Sequence, residues 1–100
     1  MDMPVACTLG PAALIARREG LLTELLRRAD EQQELPDGYR LRFTAGGDTL
    51  AVIARAIDAE RQCCRFLRFR LTVDPDGGPI HLELTGPPGT REFVSALLSD

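Results

Sequence analysis

The stretch Phe69-Arg70-Leu71-Thr72-Val73-Asp74-Pro75-Asp76-Gly77-Gly78-Pro79-Ile80-His81-Leu82-Glu83-Leu84-Thr85 decides the fold. On either side of Asp74-Pro75-Asp76-Gly77-Gly78, apolar and polar residues alternate with a period of two, the mark of strands with one buried face. Phe69, Leu71 and Val73 form the inner face of the first strand, and Ile80, Leu82 and Leu84 that of the second. The segment between them suits an antiparallel hairpin. Toward the N-terminus, Tyr39 to Thr44 alternates in the same way. Tyr39, Leu41 and Phe43 lie on one side, and Arg40, Arg42 and Thr44 on the other, so this segment reads as a further half-buried strand.

Between these strands the period changes to that of a helix. Over Leu50 to Leu67, a rotation of about 100° per residue puts Ile53, Ala56, Ile57, Cys63, Cys64 and Leu67 on one face. Asp58, Arg61, Gln62 and Arg65 take the other. Gly46-Gly47-Asp48 precedes as a loop, with Asp48 placed to cap the helix. An earlier helix opens at Gly10-Pro11, where proline tolerates the first helical position. It continues through Leu14, Ile15, Arg18, Leu21, Leu22, Leu25, Leu26 and Ala29. The polar stretch Asp30 to Glu34 ends it, and Pro36-Asp37-Gly38 is a turn. Gly86-Pro87-Pro88-Gly89 breaks the last strand, and a final helix over about Pro88 to Leu98 presents Phe93, Val94, Leu97 and Leu98 to the core. Pro4 to Leu9 reads as a brief edge strand.

The order is therefore a short β segment followed by α-β-α-β-β-α. Helices of this kind pack most simply on one face of an antiparallel-rich sheet. The expectation is a single α+β domain over residues 1–100, a two-layer sandwich of three or four strands with three helices on one face, related to the ferredoxin-like arrangement.

Composition narrows the function classes. All 12 basic residues are arginine, and the net charge of −3 gives no basic excess for general nucleic-acid binding. No run approaches the roughly 18 apolar residues of a membrane span, and Met1-Asp2-Met3-Pro4 lacks the regions of a signal peptide. The expected address is cytoplasmic, with no membrane and no nucleic acid among the partners. Three cysteines, Cys7, Cys63 and Cys64, do not make a secreted disulfide framework. Adjacent helical cysteines point about 100° apart, which argues against a Cys63–Cys64 bridge.

Glu60 is the anomaly. It falls within the apolar stripe, three and four residues before the two thiols, so these side chains can meet. A carboxylate aimed at a core is costly unless paired or protonated. Thiolates favour soft ions, and three of them can hold a trigonal ion such as Hg(II) or As(III). Glu60 then serves as a base or an oxygen ligand. Cys7 joins the set only if the N-terminal segment lies against this helix end. Two other readings use the same atoms. Free cysteines pack as small hydrophobes, or one thiol is oxidised and resolved by another. The redox reading needs an accessible, acidic thiol, which a neighbouring carboxylate and a helix C-terminus both disfavour.

The second constellation is the outer face of the sheet, with Arg40, Arg42, Thr44, Arg70, Thr72, His81 and Glu83. It reads as an anionic-ligand or partner surface, a dimer interface included, or as a solvated face with cross-strand charge pairs. Without interleaved aromatics it is no RNA-stacking platform. The chain has no G-x-S-x-G elbow, phosphate-cradling loop or H-E-x-x-H, so classical enzyme machinery is missing.

The run Glu60-Arg61-Gln62-Cys63-Cys64-Arg65-Phe66-Leu67-Arg68-Phe69-Arg70-Leu71, with Leu82-Glu83-Leu84-Thr85-Gly86-Pro87 after it, resembles a group of small uncharacterised bacterial proteins with an E-x-x-C-C-x-F-x-x-F-x-L motif. Ala6-Cys7-Thr8-Leu9 and Leu35-Pro36-Asp37-Gly38-Tyr39 extend the likeness. Similar segments follow the DNA-binding part of some MerR-type regulators, a family with soft-metal sensors. The resemblance implies a thiol-based binding or sensing role at Cys7, Glu60, Cys63 and Cys64. The expectations are thus a soft-metal, metalloid or small-ligand module, a homo-oligomeric interaction module with structural cysteines, or a thiol redox switch or thiol enzyme using Glu60 and a cysteine.

Overall fold

A computed structural model of the chain describes residues 21–98. The elements run α1 (Leu21–Arg28), β1 (Glu31–Leu35), β2 (Gly38–Phe43), α2 (Thr49–Cys63), β3 (Arg68–Val73), β4 (Ile80–Thr85) and α3 (Thr90–Leu98). The four strands form one antiparallel sheet in the order β1-β2-β4-β3. The α+β class and the three-helix, four-strand layout agree with the sequence reading. The fourth strand, however, is β1. The segment Pro4–Leu9 and the opening of the first helix lie outside the described residues.

The stretch Asp30 to Glu34, read as a polar helix end, is instead largely strand β1. Its side chains are exposed up to Leu35, so no apolar alternation announces it. Partners place it there. Glu31 faces Arg42 and Glu34 faces Tyr39 across the β1–β2 ladder, and Gln32 Nε2 donates to the Leu26 carbonyl at 3.2 Å. That bond satisfies one of the carbonyls left open at the end of α1.

Both β2 and β3 run antiparallel to β4, which lies between them. With α2 as the crossover, β2-α2-β3 is a split β-α-β unit of the kind found in ferredoxin-like sheets. Here the strand flanking β2 precedes that unit in the chain. In the β3–β4 connection, Gly78 N–H donates to the Pro75 carbonyl at 3.0 Å. Asp76 and Gly77 between them have φ of 58° and 69°, the twisted geometry that tight hairpins favour.

The core lies between the sheet and the helices. Tyr39, Leu41 and Phe43 of β2 and Ile80, Leu82 and Leu84 of β4 pack on Leu22, Leu25 and Leu26 of α1, Val52, Ile53 and Ala56 of α2, and Val94 and Leu97 of α3. This apolar row does not stay covered at its far end. On β3, Phe69, Leu71 and Val73 face Leu84, Leu82 and Ile80, yet Leu71 is 38% and Val73 52% exposed.

Candidate functional site

Position 60 follows Ile53 by seven residues and Ala56 by four, so helical geometry turns its side chain inward with theirs. Ile53 and Ala56 are sealed from solvent, and Glu60 is 3% exposed. Asp58, Arg61 and Gln62 are exposed on the opposite face. The expected anomaly is therefore real: a carboxylate sits in the interior near the C-terminal end of α2.

The helix ends sooner than its periodicity suggests. It closes at Cys63, and Cys64 adopts φ −108° and ψ 76°, outside the helical region. The Cys64 N–H still donates to the Glu60 carbonyl at 2.6 Å, and Leu67 N–H donates to the Cys64 carbonyl at 3.1 Å. This turn, rather than a continuing helical face, carries Cys64, Phe66 and Leu67 inward. They form a second, smaller apolar cluster against which Phe69 and Phe93 pack. The Phe66 and Phe93 rings meet edge to face, with centroids 5.1 Å apart at 86°, the arrangement aromatic quadrupoles favour. Cys64 is 2% exposed within that cluster and is not in a disulfide.

A rigid corner closes the neighbourhood. The Thr90 hydroxyl and N–H both donate to the Pro87 carbonyl, at 2.7 and 3.1 Å. A Cβ added to Gly86 would stand 2.5 Å from Thr90 Oγ1 and 2.9 Å from the Phe66 carbonyl oxygen. Only glycine lets the end of β4 approach both the turn after α2 and the start of α3 so closely.

Of the four residues singled out from sequence, Glu60 and Cys64 are thus buried within one turn of each other. Cys63 closes α2, but its side chain, like the whole of Cys7, lies outside the described residues. Among the described residues, no group of three or more His, Cys, Asp and Glu side chains converges. The burial of Cys64 matters for its chemistry. A thiol enclosed by phenylalanine and leucine side chains lacks the access that a peroxidatic or nucleophilic cysteine needs.

Asp48 stands at the N-cap of α2 but makes no side-chain capping bond. Its carboxylate accepts instead from Arg28 Nη1 at 3.3 Å, an ion pair between α1 and the loop before α2.

The outer face of the sheet is built as its alternation implies. Glu83 lies between Arg40 and Arg70, and His81 between Arg42 and Thr72. Arg42 also reaches Glu31 at 3.7 Å. A shallow cavity of about 200 Å³ on this face is lined by Glu31, Gln32, Gln33, Arg40, Arg42 and His81. Its charged lining is Arg40 and Arg42 against a single carboxylate, Glu31, which pairs with Arg42. A second depression, about 430 Å³, lies between the first hairpin and α3 and includes Glu34, Tyr39 and Arg91. Arg91 Nη1 meets Glu34 Oε1 there at 3.4 Å. Sequence reading missed this groove because Glu34 belongs to the strand that carries no apolar pattern.

Comparison with protein-family models, with curated proteins and with solved structures finds no match to this chain. No described helix is long and apolar enough to cross a membrane.

Proposed function

We propose that this protein is a cytoplasmic binding module that captures a soft metal ion or metalloid at the C-terminal end of α2. Cys63 and Cys64 are the principal donors, assisted by Glu60 and Cys7. The observation that carries this reading is the joint burial of Glu60 and Cys64, 3% and 2% exposed and one turn apart. A carboxylate on the core stripe of a helix costs several kcal/mol of desolvation, while an apolar residue there would simply extend the core. A soft cation is the preferred partner of thiolates, and an adjacent carboxylate can add an oxygen ligand. The charge on such an ion also favours thiolate over thiol, even where solvent does not reach.

The test is titration of the fully reduced protein with Hg(II) and with As(III) in the presence of excess glutathione, which outcompetes an isolated surface thiol. One ion bound per chain, with thiolate–metal absorption that Cys63→Ser removes, is the expected result. Absence of binding under these conditions overturns the reading.

A second reading, that of an interaction module, is favoured by a separate observation. The apolar row of the sheet continues onto β3, where Leu71 and Val73 are 38% and 52% exposed at an edge that has no further strand among the described residues.

A further inference from the structure

The backbone of β3 can be divided residue by residue. Asp74 N–H donates to the Pro79 carbonyl, which continues the β3–β4 register in which Thr72 faces His81 and Arg70 faces Glu83. In an antiparallel ladder, hydrogen-bonded and non-bonded pairs alternate. Arg68, Arg70, Thr72 and Asp74 therefore direct their N–H and C=O groups to β4. Phe69, Leu71 and Val73 direct theirs away from the sheet, to the open edge. The same three residues carry the apolar side chains of the core-side face. Among the described residues, this edge thus offers both backbone groups without a partner strand and, at Leu71 and Val73, exposed apolar surface, which is what an added strand uses.

We propose that this edge pairs with β3 of a second copy of the chain, antiparallel about a two-fold axis at Leu71, to give a continuous eight-stranded sheet. This deepens the interaction-module reading by naming the partner, and it is independent of the metal reading.

The register follows from elimination. Self-pairing must place outward-directed residues opposite one another, so the axis passes through a residue and not between two. Centring on Arg70 sets two arginines directly opposite, which is destabilising. Centring on Thr72 sets Phe69 opposite Pro75, which has no N–H to donate. Centring on Leu71 has neither fault. Leu71 meets Leu71, Phe69 meets Val73 and Arg70 meets Thr72. Arg68 meets Asp74 at both ends, so unlike charges close the strand pair symmetrically. All the outward amides of β3 then find a carbonyl on the other copy.

The opposite edge argues the same way by contrast. β1 reads Glu31-Gln32-Gln33-Glu34-Leu35, exposed except at its last residue, and charged, polar edges resist strand addition. Self-pairing of β3 is isologous and stops at two copies, whereas β1 against β3 would be head-to-tail and would continue into polymers.

The experiment uses the full reduced chain, with metal-free buffer, in sedimentation equilibrium across a wide concentration range. A monomer–dimer equilibrium that stops at two copies is expected. Arg68→Asp and Asp74→Arg should each weaken dimerisation about tenfold, since each opposes like charges at two symmetric positions. The double reversal should restore it, which also shows that loss in either single variant is not misfolding. Hydrogen exchange adds a residue-level readout. Amides of Phe69, Leu71 and Val73 should become protected as concentration rises, while those of Arg70 and Thr72 are protected throughout.

A dimer unaffected by the reversals overturns this contact but leaves an interaction module standing. A monomer with unprotected edge amides overturns self-association, and a different partner must then be sought. A monomer in which those amides are protected at every concentration identifies the occupant as another segment of the same chain, such as Pro4–Leu9, and equally overturns the proposal. Polymers without a limit at two copies assign the edge to head-to-tail pairing instead.

Discussion

Replacing Cys64 by alanine separates the packing value of this residue from its binding value. The side chain is almost fully buried among Phe66 and Leu67, with Phe69 and Phe93 against that cluster. Removing the sulfur takes away about one methylene equivalent of buried surface and leaves a small cavity that a T-shaped phenylalanine pair can only partly fill. That loss is worth about 1–2 kcal/mol. Set against a total stability of about 5–15 kcal/mol, the variant should fold. At about 4–8 °C per kcal/mol for a domain of this size, its Tm should fall by roughly 4–16 °C. Ligand binding acts on the same scale in the opposite direction. A free ion concentration of about 100 times Kd stabilises the native state by about 2.7 kcal/mol. Wild-type protein should therefore melt roughly 10–20 °C higher with Hg(II) buffered by glutathione than without it, and Cys64→Ala should show no such rise. Thermal melts of both proteins, with and without the buffered ion, measure all four quantities. An equal metal-induced rise in the variant removes Cys64 from the donor set. A loss well beyond about 4 kcal/mol without metal would refute the packing estimate itself.

Two further predictions address the frame that holds the site. Gly38→Ala should destabilise by about 3 kcal/mol or more, because a Cβ there would overlap the Leu84 carbonyl oxygen and stand 2.8 Å from Leu84 C and 2.9 Å from Thr85 Cα. These are backbone atoms of the central strand and cannot rotate away. Urea unfolding with an unchanged m-value should show this, and a loss below about 1 kcal/mol would mean that β2 and β4 separate more easily than their register implies. Asp48→Ala should change stability by less than about 0.5 kcal/mol, despite the helix-start position. Its side chain is 66% exposed and pairs with Arg28 instead of capping α2. A loss in the range of about 1–2 kcal/mol, typical of a true N-cap, would contradict that geometry.

Legibility from sequence followed burial rather than pairing. The strands that alternate were read correctly in position and inner face, because one side of each carries Tyr39, Leu41 and Phe43, or Phe69, Leu71 and Val73, or Ile80, Leu82 and Leu84. Strand β1 has no such side, and its place in the sheet comes from Arg42, Tyr39 and the end of α1, all of them partners outside the segment. The end of α2 misled for a related reason. Cys64 and Leu67 do point inward, so the periodic pattern ran on past Cys63, but a turn delivers them and no glycine or proline marks where the helix stops. Glu60 was visible because it contradicts its own stripe. A second contradiction emerges only when the alternation is compared with exposure. Both edge strands break the usual link between apolar pattern and burial, in opposite senses. β1 pairs without a pattern, and charged side chains on an outer strand discourage further pairing. β3 has the pattern without full cover: Phe69 packs against the core, but Leu71 and Val73, which carry the same alternation, are left exposed. A strand patterned for an interior but placed at an edge has surface to bury, and the Leu71-centred register is the way two copies of this chain can bury it with every outward amide and both end charges matched.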